Sequence, residues 1–194
     1  MEKLYTQEIL NKFYQDIVEF RTIFKQPIEA PKDYKRDDEH LHVSLAIEEF
    51  TELSMSRSLV DEADALCDMA YVSVGKLVHL GHRKLTDNLS VTYFMELIFQ
   101  VAAARNIDLL ACWDEVHASN ISKACINHKQ FKETAEHYHA QGVKVEPDSS
   151  PQGTIIVKCA ADVQLADKFI KKGKVLKSIY YKPAVLDPVP LLKY

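Results

Sequence analysis

The chain has 194 residues, enough for one ordinary domain or a domain with an appendage, and its net charge of −4 excludes a general attraction to nucleic acid or to an anionic membrane. It is 47% hydrophobic and 27% charged, the balance of a globular protein in water, and five glycines and seven prolines are too few for a turn-rich β fold. The cysteines Cys67, Cys112, Cys125 and Cys159 form no C-x-x-C pair, so free thiols in a reducing cytoplasm are expected. The start, Met1 to Gln7, is polar and unlike a signal peptide, and the densest apolar run, Leu97 to Ala104, is too short to span a membrane and contains Gln100.

Periodicity predicts a first helix over 6–24, with Ile9, Phe13, Ile17 and Phe20 or Ile23 on one stripe and Thr6 as its cap. Pro27 and Pro31 then break the chain. A second helix is expected from about Asp37 to Arg57, and a third from the second acidic cluster to Leu80, where Gly81 ends it. A strongly apolar fourth helix spans Leu89 to Arg105, capped by Thr86 or Asp87, and a fifth runs from Leu109 to Ala124. A surface helix is expected over 131–140. Val143 to Val145 and Thr154 to Cys159 read as short strands across a turn-like segment over 147–153, followed by a short helix near 163–169, the basic stretch Lys171-Lys172-Gly173-Lys174-Val175-Leu176-Lys177 and a proline-rich end. The expected architecture is therefore mostly α: a four-helix-type bundle over 1–128 and a small irregular α/β tail over 129–194.

Two acidic clusters carry the chemistry. Glu48, Glu49 and Glu52 lie within one turn on the second helix, and Asp64 and Asp68 are i,i+4 on the third, with Asp61 one turn before. Both clusters continue apolar stripes. Carboxylates at the edge of a core are costly to bury unless positive charge meets them, and between Leu45 and Gly75 the only basic residue is Arg57. A hard divalent cation suits an all-oxygen donor set.

Glu48-Glu49-x-x-Glu52-Leu53, followed by Asp64-Ala65-Leu66-Cys67-Asp68-Met69-Ala70-Tyr71-Val72, resembles the all-α nucleoside triphosphate pyrophosphohydrolases, the MazG-like and phosphoribosyl-ATP pyrophosphohydrolase-like enzymes. Glu115-Val116-His117-Ala118-Ser119-Asn120-Ile121-Ser122-Lys123 is similar to that group's E-V-H-x-S-N-x-S-K segment, and Gly173 to Lys177 with Tyr180 and Pro183 to its G-K-V-x-K segment. Phe20-Arg21-x-x-Phe24-x-Gln26-Pro27 is a weaker match. The chain departs from the group at the second acidic motif, usually E-x-x-D: aligning on Asp68 puts Ala65 at the glutamate, so either Asp64 substitutes or Asp61-x-x-Asp64 is the active pair.

The resemblance implies cleavage of a nucleoside triphosphate, a dNTP such as dUTP, dCTP or dGTP, to the monophosphate and pyrophosphate. It implies Mg²⁺, with Mn²⁺ able to substitute, held by Glu49, Glu52, Asp64 and Asp68, and Glu48 or one ligand carboxylate acting on the water. It places Asn120, Lys123, Lys174, Lys177 and Tyr180 on the substrate, and implies a homodimer or homotetramer.

The bland readings stand beside these. A single i,i+4 acidic pair is usually a solvated helix face, Lys123 alone an ordinary surface lysine, and the tail lysines an ordinary basic surface. The histidines, His79 with His82 and His137 with His139 included, form no set with structural-zinc spacing. Two rivals are a ferritin-like di-iron carboxylate protein, for which Asp114-x-x-His117 is the nearest pattern, and a non-catalytic helical interaction module.

Overall fold

The helices form where capping and apolar spacing coincide. In the computed structural model, which describes residues 5–166 and 168–192, Thr6 Oγ1 accepts from the Ile9 amide at 3.2 Å and opens α1 (Gln7–Ile23). α2 (Arg36–Met55) and α3 (Leu59–Leu80) are separated by Ser56, Arg57 and Ser58. Ser58 caps α3 by accepting from the Asp61 amide, and Gly81 at φ 70° closes it. That left-handed position suits glycine, and an added Cβ would also meet Glu29 at 3.3 Å. After a 3₁₀ turn at Leu85–Asp87 come α4 (Leu89–Ala104), α5 (Leu109–Ile121) and α6 (His128–Ala140). The cap of α4 is Asn88, whose Oδ1 accepts from the Val91 amide at 3.2 Å, not Thr86 or Asp87; Asp87 instead accepts from the Lys84 amide inside the 3₁₀ turn.

The chain divides into two compact units. Of the described residues, one takes those of Met1–Glu19, Pro27–His117 and Ala184–Tyr194; the other takes Phe20–Gln26 and Ala118–Pro183. This differs from a cut at 128. Residues 184–192 belong with the first unit because the Asp108 amide donates to Pro190 O at 2.9 Å and the Leu192 amide to Asn106 O at 3.2 Å.

The first unit is helical. Its core includes Phe13, Ile17, Leu66, Val74, Val78, Met95, Ile98 and Trp113, all 2% exposed or less. Phe13 stacks on Trp113 with ring centroids 3.8 Å apart, and Trp113 Nε1 donates to Asp16 Oδ2 at 2.7 Å, so the indole is buried with its polar edge satisfied. α2 and α3 pack along each other. The pairs Glu39–Lys76 and His42–His79 join the start of α2 to the end of α3, which makes the two helices antiparallel.

The second unit holds α6 and an antiparallel sheet in the order β1-β2-β5: β1 (Val145–Ser149), β2 (Ile155–Cys159) and β5 (Val175–Leu176). β2, Ile-Ile-Val-Lys-Cys, reads as a continuous apolar run because it is central and buried; β1 is an edge strand and tolerates Pro147. Two cores meet this sheet: Cys125, Val143, Ile155, Val157, Cys159, Ile170 and Leu176 form one, and Ile23, Phe24, Ala124 and Ile156 the other. The short helix expected near 163–169 is instead a hairpin of β3 (Val163–Gln164) and β4 (Phe169–Ile170). Val163 and Ile170 pair across it and pack on the first of these cores, so period two prevails over period 3.6. α5 stops at Ile121 rather than Ala124 because the Cys125 backbone exchanges hydrogen bonds with Ile155. None of the four cysteines is in a disulfide, and all are buried. Among the described residues no helix is long and apolar enough to cross a membrane.

Candidate functional site

Both acidic clusters lie in the first unit, at the end of α2 and the beginning of α3. Glu48 and Glu52 are exposed and Glu49 is half-buried; Asp64 is exposed and Asp68 half-buried. The decisive observation concerns Glu49. Its pKa is pushed up to about 7, first by burial and then by the negative charges of Asp68, Glu52, Glu48 and Asp64. Four of the carboxylates singled out in the sequence, two on each helix, therefore act on the fifth, Glu49.

Asp61 is not among them. Its carboxylate accepts from the Arg57 amide at 2.9 Å while its own amide donates to Ser58 Oγ, an arrangement that satisfies the orphan donors at the start of α3. The Arg57 amide first, and the Ser58 hydroxyl after it, hold its carboxyl pKa below the usual carboxylate range. Its place is the helix terminus, and Asp64 and Asp68 are the aspartates that face Glu49 electrostatically.

The charges that raise the Glu49 pKa belong to carboxylates, whose oxygens are the donors a hard divalent cation takes. The side chains as they stand do not converge: among the described residues no three His, Cys, Asp or Glu groups are close enough together to hold a metal ion.

The other residues named from the sequence belong to the second unit. Asn120 is buried and accepts from Lys123 Nζ at 2.5 Å, so their spacing of one turn does bring them together. The two serines of the same segment secure the chain after β5: Ser119 Oγ donates to the Tyr181 hydroxyl at 3.1 Å, and Ser122 Oγ accepts from the Lys182 amide at 2.9 Å. Lys174 and Lys177 are exposed, and Lys177 Nζ sits 4.2 Å from the centre of the Tyr181 ring. Tyr180 donates its hydroxyl to Glu133. The stretch is less free than its composition suggests. Lys174 O accepts from the Cys159 amide at 3.0 Å, and the Gly173 amide donates to Cys159 O at 2.7 Å, which pins the backbone to the end of β2.

A polar cluster unforeseen in the sequence lies at the opposite end of the α2–α3 pair. Lys76 Nζ donates to Glu39 Oε1 at 2.6 Å, the Tyr34 hydroxyl to Glu39 Oε2 at 2.5 Å, and the rings of His42 and His79 share a 3.1 Å hydrogen bond. The signal was present: Lys76 is the lone charge in the apolar run from Met69 to Val78, four residues beyond Val72 and eight beyond Asp68. A second network joins the Tyr71 hydroxyl to His117 Nδ1 at 3.1 Å and His117 Nε2 to Glu19 at 3.2 Å, while Asp114 is ion-paired with Lys12 at 2.6 Å.

Comparison with known proteins adds little to this. No family model matches the chain, and no solved structure matches it. An uncharacterised protein of Acanthamoeba polyphaga mimivirus is 33% identical over 124 residues, covering 52% of this chain and 46% of the viral protein. The chain thus spans less than half the length of that relative.

Proposed function

We propose that the protein is a Mg²⁺-dependent nucleoside triphosphate pyrophosphohydrolase, cleaving a dNTP such as dUTP, dCTP or dGTP between its α and β phosphates. The observation that carries this reading is the placing of Glu49, half-buried at the end of α2, where the charges of Glu48 and Glu52 on its own helix and of Asp64 and Asp68 on α3 all reach it and, with burial, raise its pKa. Carboxylates gathered on two neighbouring helices are the chemistry that a hard divalent cation takes. The four helical segments α2 to α5 with α1 are read as the bundle of the all-α members of that group.

In this reading Glu49, Glu52, Asp64 and Asp68 hold the metal. A Mg²⁺ held there would supply positive charge against the polyanionic substrate and a bound water of lowered pKa. Glu48, which is exposed, or one of the ligand carboxylates is read as orienting that water or taking its proton. The chain is further read as a cytoplasmic homodimer or homotetramer. Leu41, Met55, Leu89 and Val101 of α2 and α4 are exposed apolar side chains, from 38% for Val101 to 81% for Leu89, which a second copy would cover.

The test is a panel of ribo- and deoxynucleoside triphosphates assayed with Mg²⁺, with Mn²⁺ and with EDTA. Turnover of at least one nucleotide that disappears in EDTA is expected. Full activity in EDTA contradicts the reading.

Asn120, Lys123, Lys174, Lys177 and Tyr180 are read as substrate contacts on the resemblance alone. Lys174→Ala with Lys177→Ala is the informative pair, because both side chains are exposed and Lys174 is tied to β2 through its backbone. A lysine on phosphate is worth about 1–3 kcal/mol, so a ten- to hundredfold loss in kcat/KM with little change in Tm is the expected order of magnitude. Unchanged kinetics in the double variant would remove both lysines from the site.

A further inference from the structure

One groove runs along the α2–α3 pair and changes character in an ordered way. On α3, Asp64, Asp68, Val72 and Lys76 follow at four-residue spacing, one stripe rising about 6 Å per step. On α2 the antiparallel stripe is Glu49, Ala46, His42 and Glu39. Carboxylates occupy one end and the Lys76–Glu39 pair the other. Between them lies a cavity of about 460 Å³, completed by α4 and lined by Ala46, Phe50, Val72, Tyr93 and Phe94 among others. Of the polar side chains that line it, Glu39 and Lys76 pair at the start of α2 and the end of α3, the end away from the acidic clusters.

We propose that this cavity is the nucleobase slot of the substrate, and that Lys76 and Glu39 read the edge of the base. The inference rests on the pyrophosphohydrolase reading and deepens it. A nucleobase has apolar faces and a polar edge; the slot has aromatic and aliphatic walls and a donor–acceptor pair at its end. The Lys76 side chain is only 11% exposed, and its ammonium is held in place by Glu39, so a donor and an acceptor are fixed at that end before any ligand arrives. The phosphates of a nucleotide seated this way extend toward Asp68 and Glu49, one turn from Val72 and Ala46 respectively. A second copy of the chain or an apolar peptide is the competing occupant, but neither uses the buried ammonium or the adjoining row of carboxylates.

The test is Ala46→Phe, which fills the slot, beside Lys76→Met, which keeps the length of the side chain and removes its charge. Ala46→Phe is expected to raise KM for the best nucleotide of the panel at least tenfold and to leave inhibition by inorganic tripolyphosphate unchanged. Lys76→Met is expected to change the ratio of kcat/KM among the four bases. Saturation-transfer NMR on deoxynucleoside monophosphates gives a readout independent of turnover: base protons should receive saturation from the wild type and lose it in Ala46→Phe. If the wild type turns over no triphosphate, the pyrophosphohydrolase reading fails, and the NMR arm still decides the slot. Equal base signals in wild type and a folded Ala46→Phe, or no base signal from either, overturn the proposal.

Discussion

Glu49→Gln is expected to reduce turnover on the order of a hundredfold or more while making the metal-free protein more stable at pH 8. The two effects share one cause. Glu49 is half-buried among Asp68, Glu52, Glu48 and Asp64, and its pKa in the fold is about 7 against an ordinary value near 4.5. A folded pKa above the unfolded one means that the native state holds the proton more tightly. Stability from this group is fully present below about pH 4.5 and is lost as pH rises through 7. Without screening the loss is about 3 kcal/mol; for a half-buried group, about 1–2 kcal/mol is the reasonable scale. Glutamine keeps the shape and removes both the charge and the titration. Melting curves in EDTA at pH 5 and pH 8 should converge in Glu49→Gln and differ in the wild type, and Mg²⁺ should raise the wild-type Tm at pH 8. Glu52→Gln should lose turnover similarly. A Glu49→Gln protein that keeps most of its activity in saturating Mg²⁺ would contradict the ligand assignment.

The second large effect separates the aspartates of α3. Asp64→Asn and Asp68→Asn are expected to be inactive, and Asp61→Asn nearly normal in both activity and Tm. Asp64 and Asp68 raise the pKa of Glu49, whereas Asp61 is spent on the amide of Arg57 at the helix start, a task asparagine also performs. Steady-state assays of the three variants, with circular dichroism to check folding, decide the point. An inactive Asp61→Asn beside an active Asp68→Asn would shift the motif one turn toward the N-terminus of α3.

What could be read in the sequence follows from how local each determinant is. α1 and the end of α3 were legible because Thr6 and Gly81 act on their own neighbours, and the stripe Phe13–Ile17 repeats at the helical period. The acidic clusters were legible because each pairs within one helix, and the short connection at Ser56 to Ser58 brings the helices together. The hairpin of β3 and β4 was not. Its residues choose strand over helix because Val163 and Ile170 bury against a core built by β2 and β5, contacts that lie outside the local window. The cluster of Glu39, His42, Lys76 and His79 escaped for the same reason: its members lie up to 40 residues apart and meet only through antiparallel packing. α4 starts at Leu89 as expected, but Asn88 caps it instead of Thr86 or Asp87 because those two residues lie inside the preceding 3₁₀ turn, where Asp87 accepts from the Lys84 amide.

The most direct measurement is ³¹P NMR of the products formed from the best nucleotide of the panel in the presence of Mg²⁺. The account predicts a nucleoside monophosphate and pyrophosphate in equal amounts, with no diphosphate intermediate. Orthophosphate with a nucleoside diphosphate as the direct products would contradict it.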